Sequence, residues 1–555
     1  MWTEDLLKIY ENCFRESWEL PALTDYVGRN TMSYGDLARH IAMTHMLFKG
    51  AGIKRGDKVA IMGKNTIQWV TSFMATLTYG AVVVPVLEGF NPTDAMHILN
   101  HSESKMLFVD DAIWDHFEFE KMPQMRAVMS LNNRALLAEH PLNKRVVEKL
   151  LTAMPSLFRK RYPDGFSAKD IDYPRMDPDD VAEINYTSGT TGFSKGVQLT
   201  YRNLWGNVSF GVDSKLLYRA SRTLAFLPLA HCFGAAFDML TPLAAGGHVT
   251  LLGKLPTPKL LMKALSEVRP NLILVVPMIL EKIYKSKLQP ILSKPSMRAL
   301  MKVPGANKLI YSKIRKTLIE AFGGQFSQVI AGGAPLNGEV ERFLHKIKFP
   351  FTIGYGMTEC GPLISYTWWE DFKLGSAGQI LHGLMEVKIT SKDQYKIPGE
   401  ICVRGTNVMK GYYKNPEATE GVLDAEGWLH TGDMGTIDHD GTIFIKGRYK
   451  TMILSANGQN IYPEEIEAKL NNMPYVSESL VVERGKHLVA LVYPDYERMD
   501  RDGVTSDQLP VKMEENRVAL NKQVAGYERI EKIQLIANEF EKTPKKSIKR
   551  YLYTA

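Results

Sequence analysis

Eleven consecutive residues hold the densest chemistry in the chain: Tyr186-Thr187-Ser188-Gly189-Thr190-Thr191-Gly192-Phe193-Ser194-Lys195-Gly196. Three glycines let the backbone turn tightly and bring N–H groups close to an anion. The hydroxyls of Thr187, Ser188, Thr190 and Thr191 add donors, and Lys195 adds a point charge suited to phosphate. A strand-like approach, Val181 to Tyr186, leads into it. The loop is not a Walker loop, because Ser194 stands where that pattern needs its second glycine. A phosphate cradle is the chemistry these residue types offer.

Five more stations follow in order. Ala331-Gly332-Gly333-Ala334 comes after the apolar Gln328-Val329-Ile330, and its glycine pair permits close approach to a flat ligand. Gly354-Tyr355-Gly356-Met357-Thr358-Glu359 sets an aromatic ring, a hydroxyl and a carboxylate side by side; the carboxylate offers the hard oxygen that Mg²⁺ prefers. Gly427-Trp428-Leu429-His430-Thr431-Gly432-Asp433 puts an acid beside a glycine turn, suited to a pair of hydroxyls. Lys446-Gly447-Arg448-Tyr449-Lys450 follows, and the chain closes on Glu541-Lys542-Thr543-Pro544-Lys545-Lys546-Ser547-Ile548-Lys549-Arg550.

Taken together these stations resemble the adenylate-forming (AMP-binding) superfamily of acyl-CoA synthetases, luciferases and peptide-synthetase adenylation domains. The resemblance implies ATP, Mg²⁺ and coenzyme A as reactants. It places Thr187, Ser188, Gly189, Thr190, Thr191, Gly192 and Lys195 on the outer phosphates, and Gly332, Gly333, Ala334, Tyr355 and Gly356 on adenine. Thr358 falls on the α-phosphate, Glu359 on the metal, and Asp433 and Arg448 on ribose. Lys450 becomes the hinge of a mobile C-terminal lid. The catalytic lysine of the tail loop is where this chain departs from the pattern, since an ungapped alignment puts Ser547 there. Lys546 is the assigned residue, with Lys545 and Lys549 as alternatives.

For the acid pocket the resemblance points to His231, Cys232, Phe233, Gly234 and Ala235. His231 reads as a wall of that pocket rather than a general base. Cys232 occupies the place where amino-acid-activating relatives keep an aspartate, which disfavours an amino acid, because a buried ammonium needs a counter-charge. Asp238 lies close by in sequence. Val276-Pro277-Met278-Ile279-Leu280-Glu281-Lys282-Ile283-Tyr284 is similar to the long-chain fatty acid–CoA ligase branch. Medium-chain and aryl acids remain alternatives, as does the phosphopantetheine thiol of an acyl carrier protein in place of coenzyme A.

The elements that must position these residues alternate in the first half of the chain. Ser33 caps a helix to about Lys49. Lys58 to Met62 is a strand, Ile67 to Tyr79 a helix, Ala81 to Val86 a strand, Thr93 to Asn100 a helix and Met106 to Val109 a strand. Strands this apolar imply an α/β fold whose parallel sheet is covered on both faces. Residues 111–176 give no clear pattern. From Gly378 to about Ile445 short strands and glycine turns imply a smaller β-rich subdomain. A compact α+β module follows, so the expected division is 1–449 and 450–555.

Composition narrows the class. At 555 residues the chain exceeds one hydrophobic core, and 45% hydrophobic with 23% charged residues is ordinary globular usage. Four scattered cysteines signal no disulfide framework and no zinc site, and fit a cytosolic setting. The acidic N-terminus is unlike a secretory signal, and no apolar run reaches membrane-spanning length. A net charge of +7 gives no reason to expect nucleic acid. From Glu281 to Lys316, however, ten bases face a single acid with apolar residues between them, a pattern suited to peripheral contact with an anionic membrane.

Overall fold

Strands with no polar face must be covered on both sides, and that requirement organises the first half of the molecule. The computed structural model describes residues 5–187, 194–303, 305–454, 460–485, 487–543 and 547–554. Among them, one eight-stranded sheet runs in the order Gly411–Tyr412, Lys195–Thr200, Val181–Thr187, Val82–Val86, Lys58–Met62, Met106–Val109, Ala127–Ser130, Leu136–Glu139. The inner strands are parallel, with Lys58 opposite Val82 and Val59 opposite Met106. Antiparallel strands close both edges. Val82–Val86 is buried at every position, as its composition demands.

The covering helices follow from local signals. Tyr34–Gly50 starts at Ser33, whose hydroxyl accepts the Asp36 N–H while Asp36 returns the bond. Ile67–Tyr79 is capped by Thr66 and ends at Gly80, whose φ of 84° is left-handed. This helix is buried almost throughout although it carries four hydroxyls. Thr71, Ser72, Thr76 and Thr78 each donate to the carbonyl four residues back, so none is left unpaired in the apolar layer.

Two further sheets are built on parallel strands. Arg222–Ala225, His248–Leu251 and Pro21–Asp25 run parallel in one; Leu272–Val275, Gln328–Ala331 and Phe351–Ile353 form the other. Met385–Thr390, Gly399–Gly405, Leu429–Ile437 and Ile443–Arg448 make the expected antiparallel subdomain. Residues 111–176 prove to hold two sheet-edge strands and a helix, Val146–Arg161, that runs through Pro155. Only Val147 and Met154 of that helix are buried, so it leaves little apolar periodicity to read.

One apolar core extends from Leu6 to Ile443. A separate core, from Ile461 to Ile530, is built by Pro463–Leu470, Val476–Arg484, His487–Pro494 and Leu509–Asn521. No helix among the described residues is long and apolar enough to cross a membrane.

Glu183, in the strand Val181–Thr187, is fully buried, and burial pushes its carboxyl up to about 7 despite a hydrogen bond from Asn185 at 2.8 Å. A carboxyl raised in the folded state contributes stability that is fully present below its unfolded value and is lost as pH rises through about 7. Glu183→Gln keeps the acceptor and removes the titration. Its unfolding free energy relative to wild type is therefore expected to improve by about 3 kcal/mol between pH 4.5 and pH 8, at about 1.4 kcal/mol per tenfold change. Denaturant titrations across that range check it.

Candidate active site

Parallel strands send their carboxyl ends to one side, and here those ends open on a single cavity of about 3920 Å³. Thr187 ends one strand; Gly332 and Gly333 follow Ala331; Tyr355 follows Ile353; the segment 228–234 follows Ala225. Ligand sites are commonly about 300–1,000 Å³. A cavity several times larger has room for more than one reactant.

Asp433 is a buried carboxylate held from two sides. Its Oδ2 accepts the Tyr355 hydroxyl at 2.7 Å and its Oδ1 lies 2.9 Å from Arg448 Nε. Burial pushes the Asp433 carboxyl upward while Arg448 pulls it back, and Asp433 in turn raises Arg448. Burial and the same carboxylate push the Tyr355 hydroxyl well above its usual value, so it stays a donor. The chain delivers Asp433 by a turn at Gly432, φ 70°, whose N–H donates to Glu400 Oε1 at 3.1 Å. Glu400 Oε2 is 2.8 Å from His430 Nδ1. Two of the four acceptor sites of Asp433 are used internally, leaving the others for vicinal hydroxyls.

Glu359 is half-buried at the start of the next wall. Tyr412 donates its hydroxyl to Glu359 Oε1 at 2.8 Å, and the Glu359 carbonyl accepts Met409 N–H. Oε2 takes no hydrogen bond from the described residues and is a hard, anionic oxygen facing the cavity, which fits Mg²⁺. Tyr412 also lies under Lys195, whose ammonium is 4.9 Å from the ring centroid. Tyr412 gets there by edge pairing, opposite Val197. Neither Tyr412 nor Glu400 carried a local sequence signal.

Thr358 is buried, and the Cys232 thiol donates to its hydroxyl at 3.8 Å, so the two expected subsites touch. Phe233 packs on Gly332, where an added Cβ would sit 3.1 Å from the ring. Gly356 has no room for a side chain, since a Cβ would lie 2.2 Å from the Pro362 carbonyl oxygen. Gly333, φ 84°, has open space above it. His231 Nδ1 accepts Phe233 N–H at 3.2 Å, which fixes the ring against the wall.

His231, Cys232, Phe233, Gly234, Gly332, Gly333, Ala334, Tyr355, Gly356, Thr358, Glu359, Asp433, Arg448 and Lys450 all line the cavity, together with Thr187 and Lys195. Ala235 does not. It opens the π-helical turn Ala235–Leu240, is 2% exposed, and packs into the core behind the wall. Asp238 lies in the same turn, buried, and burial holds its carboxyl well above the usual range, so it offers no counter-charge to a ligand ammonium. Ser188, Gly189, Thr190, Thr191, Gly192, Lys545 and Lys546 lie outside the described residues.

In the tail, Thr543 N–H donates to Ser547 carbonyl at 2.8 Å. Ser547 and Lys549 line the cavity, and Lys549 is drawn to Glu541 at 3.4 Å. Arg550 is held by Glu467 at 2.5 Å. Lys450 sits in the single turn Tyr449–Thr451, from which the Thr451 hydroxyl donates to Glu464 at 2.6 Å.

A protein-family model described as AMP-binding enzyme matches residues 10–413. Long-chain-fatty-acid–CoA ligase FadD15 of Mycobacterium bovis is 29% identical, over 81% of this chain and 75% of its own length. The 4-coumarate–CoA ligase CCL1 of Humulus lupulus is 28% identical, over 99% of this chain and 94% of its own. The solved structure of o-succinylbenzoate coenzyme A synthetase from Bacillus subtilis, in complex with ATP and magnesium ion, matches the fold with a TM-score of 0.73 at 22% identity, covering 98% of each chain.

Hydrogen bonds to charged groups contribute about 1.5–3 kcal/mol each, so Asp433→Ala is expected to weaken ATP binding by about tenfold or more. Calorimetric titration of wild type and variant measures it. Tyr412→Phe removes the hydroxyl donor that holds Glu359 Oε1 and is expected to raise the Mg²⁺ concentration for half-maximal rate by about threefold to tenfold, with little change in ATP affinity.

Proposed function

The chain belongs to the AMP-binding enzyme family, and from that premise we propose that it is a fatty acid–CoA ligase: it activates the acid as an acyl-AMP and passes the acyl group to coenzyme A. The observation that carries the choice of acid is the apolar arm of the cavity, lined by Leu261, Leu265, Ile283, Ile310, Ile314 and Phe322 beyond the segment 231–234. Such a lining suits a chain of methylenes.

In the first step a carboxylate oxygen attacks the α-phosphorus of ATP and pyrophosphate leaves. Holding the two reactants in line can lower the barrier by roughly 7–11 kcal/mol. The Thr187–Lys195 loop would bind the outer phosphates, Thr358 the α-phosphate, and Asp433 with Arg448 the ribose. Glu359 would hold the Mg²⁺ that offsets the charge of the triphosphate. A tail lysine, Lys546, would bridge carboxylate and α-phosphate. In the second step the thiol of coenzyme A attacks the acyl carbonyl and AMP departs. The tail must withdraw to admit it, and a rigid-body swing of the C-terminal module about Lys450 would do so.

Aryl acids are the second reading, favoured by the near full-length match to a 4-coumarate–CoA ligase. A panel of acids decides between them. With fatty acids, kcat/KM is expected to rise about fourfold per methylene until the arm is full, at about 0.8 kcal/mol for each buried CH₂. A flat profile, or preference for 4-coumarate or benzoate, would sink the fatty-acid reading. Thioester yield with coenzyme A against acyl carrier protein identifies the acceptor. Lys546→Ala is expected to slow adenylation by about a hundredfold or more, as loss of an aimed charge does, and Lys545→Ala far less.

A further inference from the structure

Among the described residues, one group of metal-type ligands converges apart from Glu359: Glu400, Cys402 and His430, whose ligand atoms all lie within 4.8 Å of one another. Sequence spacing hides the group, because its members come from two antiparallel strands, Gly399–Gly405 and Leu429–Ile437. Cys402 pairs directly with His430 while Glu400 pairs with Met434, so two steps on one strand face four on the other. The surplus is taken up by the turn at Gly432, which leaves His430 beside both Glu400 and Cys402.

The spacing of the three fits one ion. His430 Nδ1 lies 3.5 Å from Cys402 Sγ and 2.8 Å from Glu400 Oε2. A nitrogen and a sulfur bound to one tetrahedral zinc, at about 2.0 and 2.3 Å, stand about 3.5 Å apart. On the other side of the ring, Asp424 Oδ2 is 3.8 Å from Nε2, the place a carboxylate takes to orient a metal-bound imidazole. Asp424 is itself fixed, since its Oδ1 accepts the N–H groups of Glu426 and Trp428. Glu400, Asp424 and His430 line the cavity and are partly exposed, which gives an ion its way in, and the buried Cys402 closes the site from behind. A thiolate with an imidazole selects zinc over the harder Mg²⁺.

We propose that Glu400, Cys402 and His430 bind a zinc ion whose fourth position opens to the cavity, and that zinc there weakens the hold on the ribose of a nucleotide. Binding takes the Cys402 sulfur as thiolate and releases its proton to solvent. The coupling runs through Glu400. Its Oε1 accepts the N–H of Gly432, the residue before Asp433, at 3.1 Å. A carboxylate shared with a dication is a weaker acceptor, so zinc on Oε2 loosens the turn that aims Asp433. The coupling rests on the ribose role given to Asp433; the metal site rests only on its own three ligands.

Titration of the reduced, metal-stripped full chain with Co²⁺, a spectroscopic stand-in for zinc, tests the site. A thiolate-to-cobalt charge-transfer band is expected to saturate at one equivalent and to be displaced by zinc with a dissociation constant of about 1 µM or tighter. Cys402→Ser is expected to lose the band, and Cys232→Ser, which alters the other thiol beside a histidine, to keep it. Asp424→Asn is expected to weaken binding by about tenfold, as loss of the group behind a ligating imidazole does. Circular dichroism and a single cooperative thermal transition show that each variant folds, and His430→Gln, expected to weaken binding by about tenfold or more, repeats the test on a second ligand. Calorimetry with AMP, which keeps the ribose, then reads the coupling: zinc is expected to weaken AMP binding by about threefold in wild type and not in Cys402→Ser. No band, a band that survives Cys402→Ser, or one lost in Cys232→Ser would overturn the site. Zinc bound at one equivalent with AMP affinity unchanged would overturn the coupling. Failure of AMP to bind the metal-free chain at all would instead sink the ribose role of Asp433 and leave the zinc site standing.

Discussion

A carboxylate and a triphosphate repel each other, by about 4 kcal/mol per pair of unit charges at about 4 Å with an effective dielectric constant of about 20. A ligase that joins them must offset that repulsion and still hold an in-line approach. The cavity supplies the means from several directions. Lys195, Arg448, Lys542 and Lys549 bring positive charge to its walls, and Tyr355 and Thr358 bring neutral donors. None of these groups is adjacent in sequence. Parallel strands deliver the segments at 228–234 and 332–334, while Arg448 comes from the antiparallel subdomain and Lys195 opens a strand antiparallel to Val181–Thr187.

The groups are also held by one another. Asp433 is fixed between Tyr355 and Arg448, its turn is fixed by Glu400, and Glu359 is fixed by Tyr412 beneath Lys195. Each link joins two different strands or loops, so the carboxylates are aimed before any ligand arrives. Such preorganisation lets a site act on developing charge without first reorienting its own dipoles.

Much of this was legible in the sequence because the signals were local. The apolar run Val82-Val83-Val84-Pro85-Val86 demanded a doubly covered strand, and Ser33 marked a helix start by its own chemistry. The glycines at 332 and 333 announced close approach, and both line the cavity. What could not be read depended on long-range pairing. Tyr412 meets Glu359 only because a two-residue edge strand docks on Lys195–Thr200, and Ala235 turns away because a π-helical turn rotates it into the core. The helix Val146–Arg161 was hidden because it buries so little.

The C-terminal module has its own apolar core and touches the large body through few polar contacts, among them Lys285 to Asn471 and Asn337 to Asn472. Contacts of that kind are readily exchanged, as at interfaces between domains generally.

The central claim is that a carboxyl oxygen of the acid attacks the α-phosphorus. It is tested most directly by running the reaction with fatty acid labelled with ¹⁸O in both carboxyl oxygens and weighing the products. The account predicts that each AMP carries one ¹⁸O and that pyrophosphate carries none. Unlabelled AMP, or label recovered in orthophosphate alongside ADP, would contradict it.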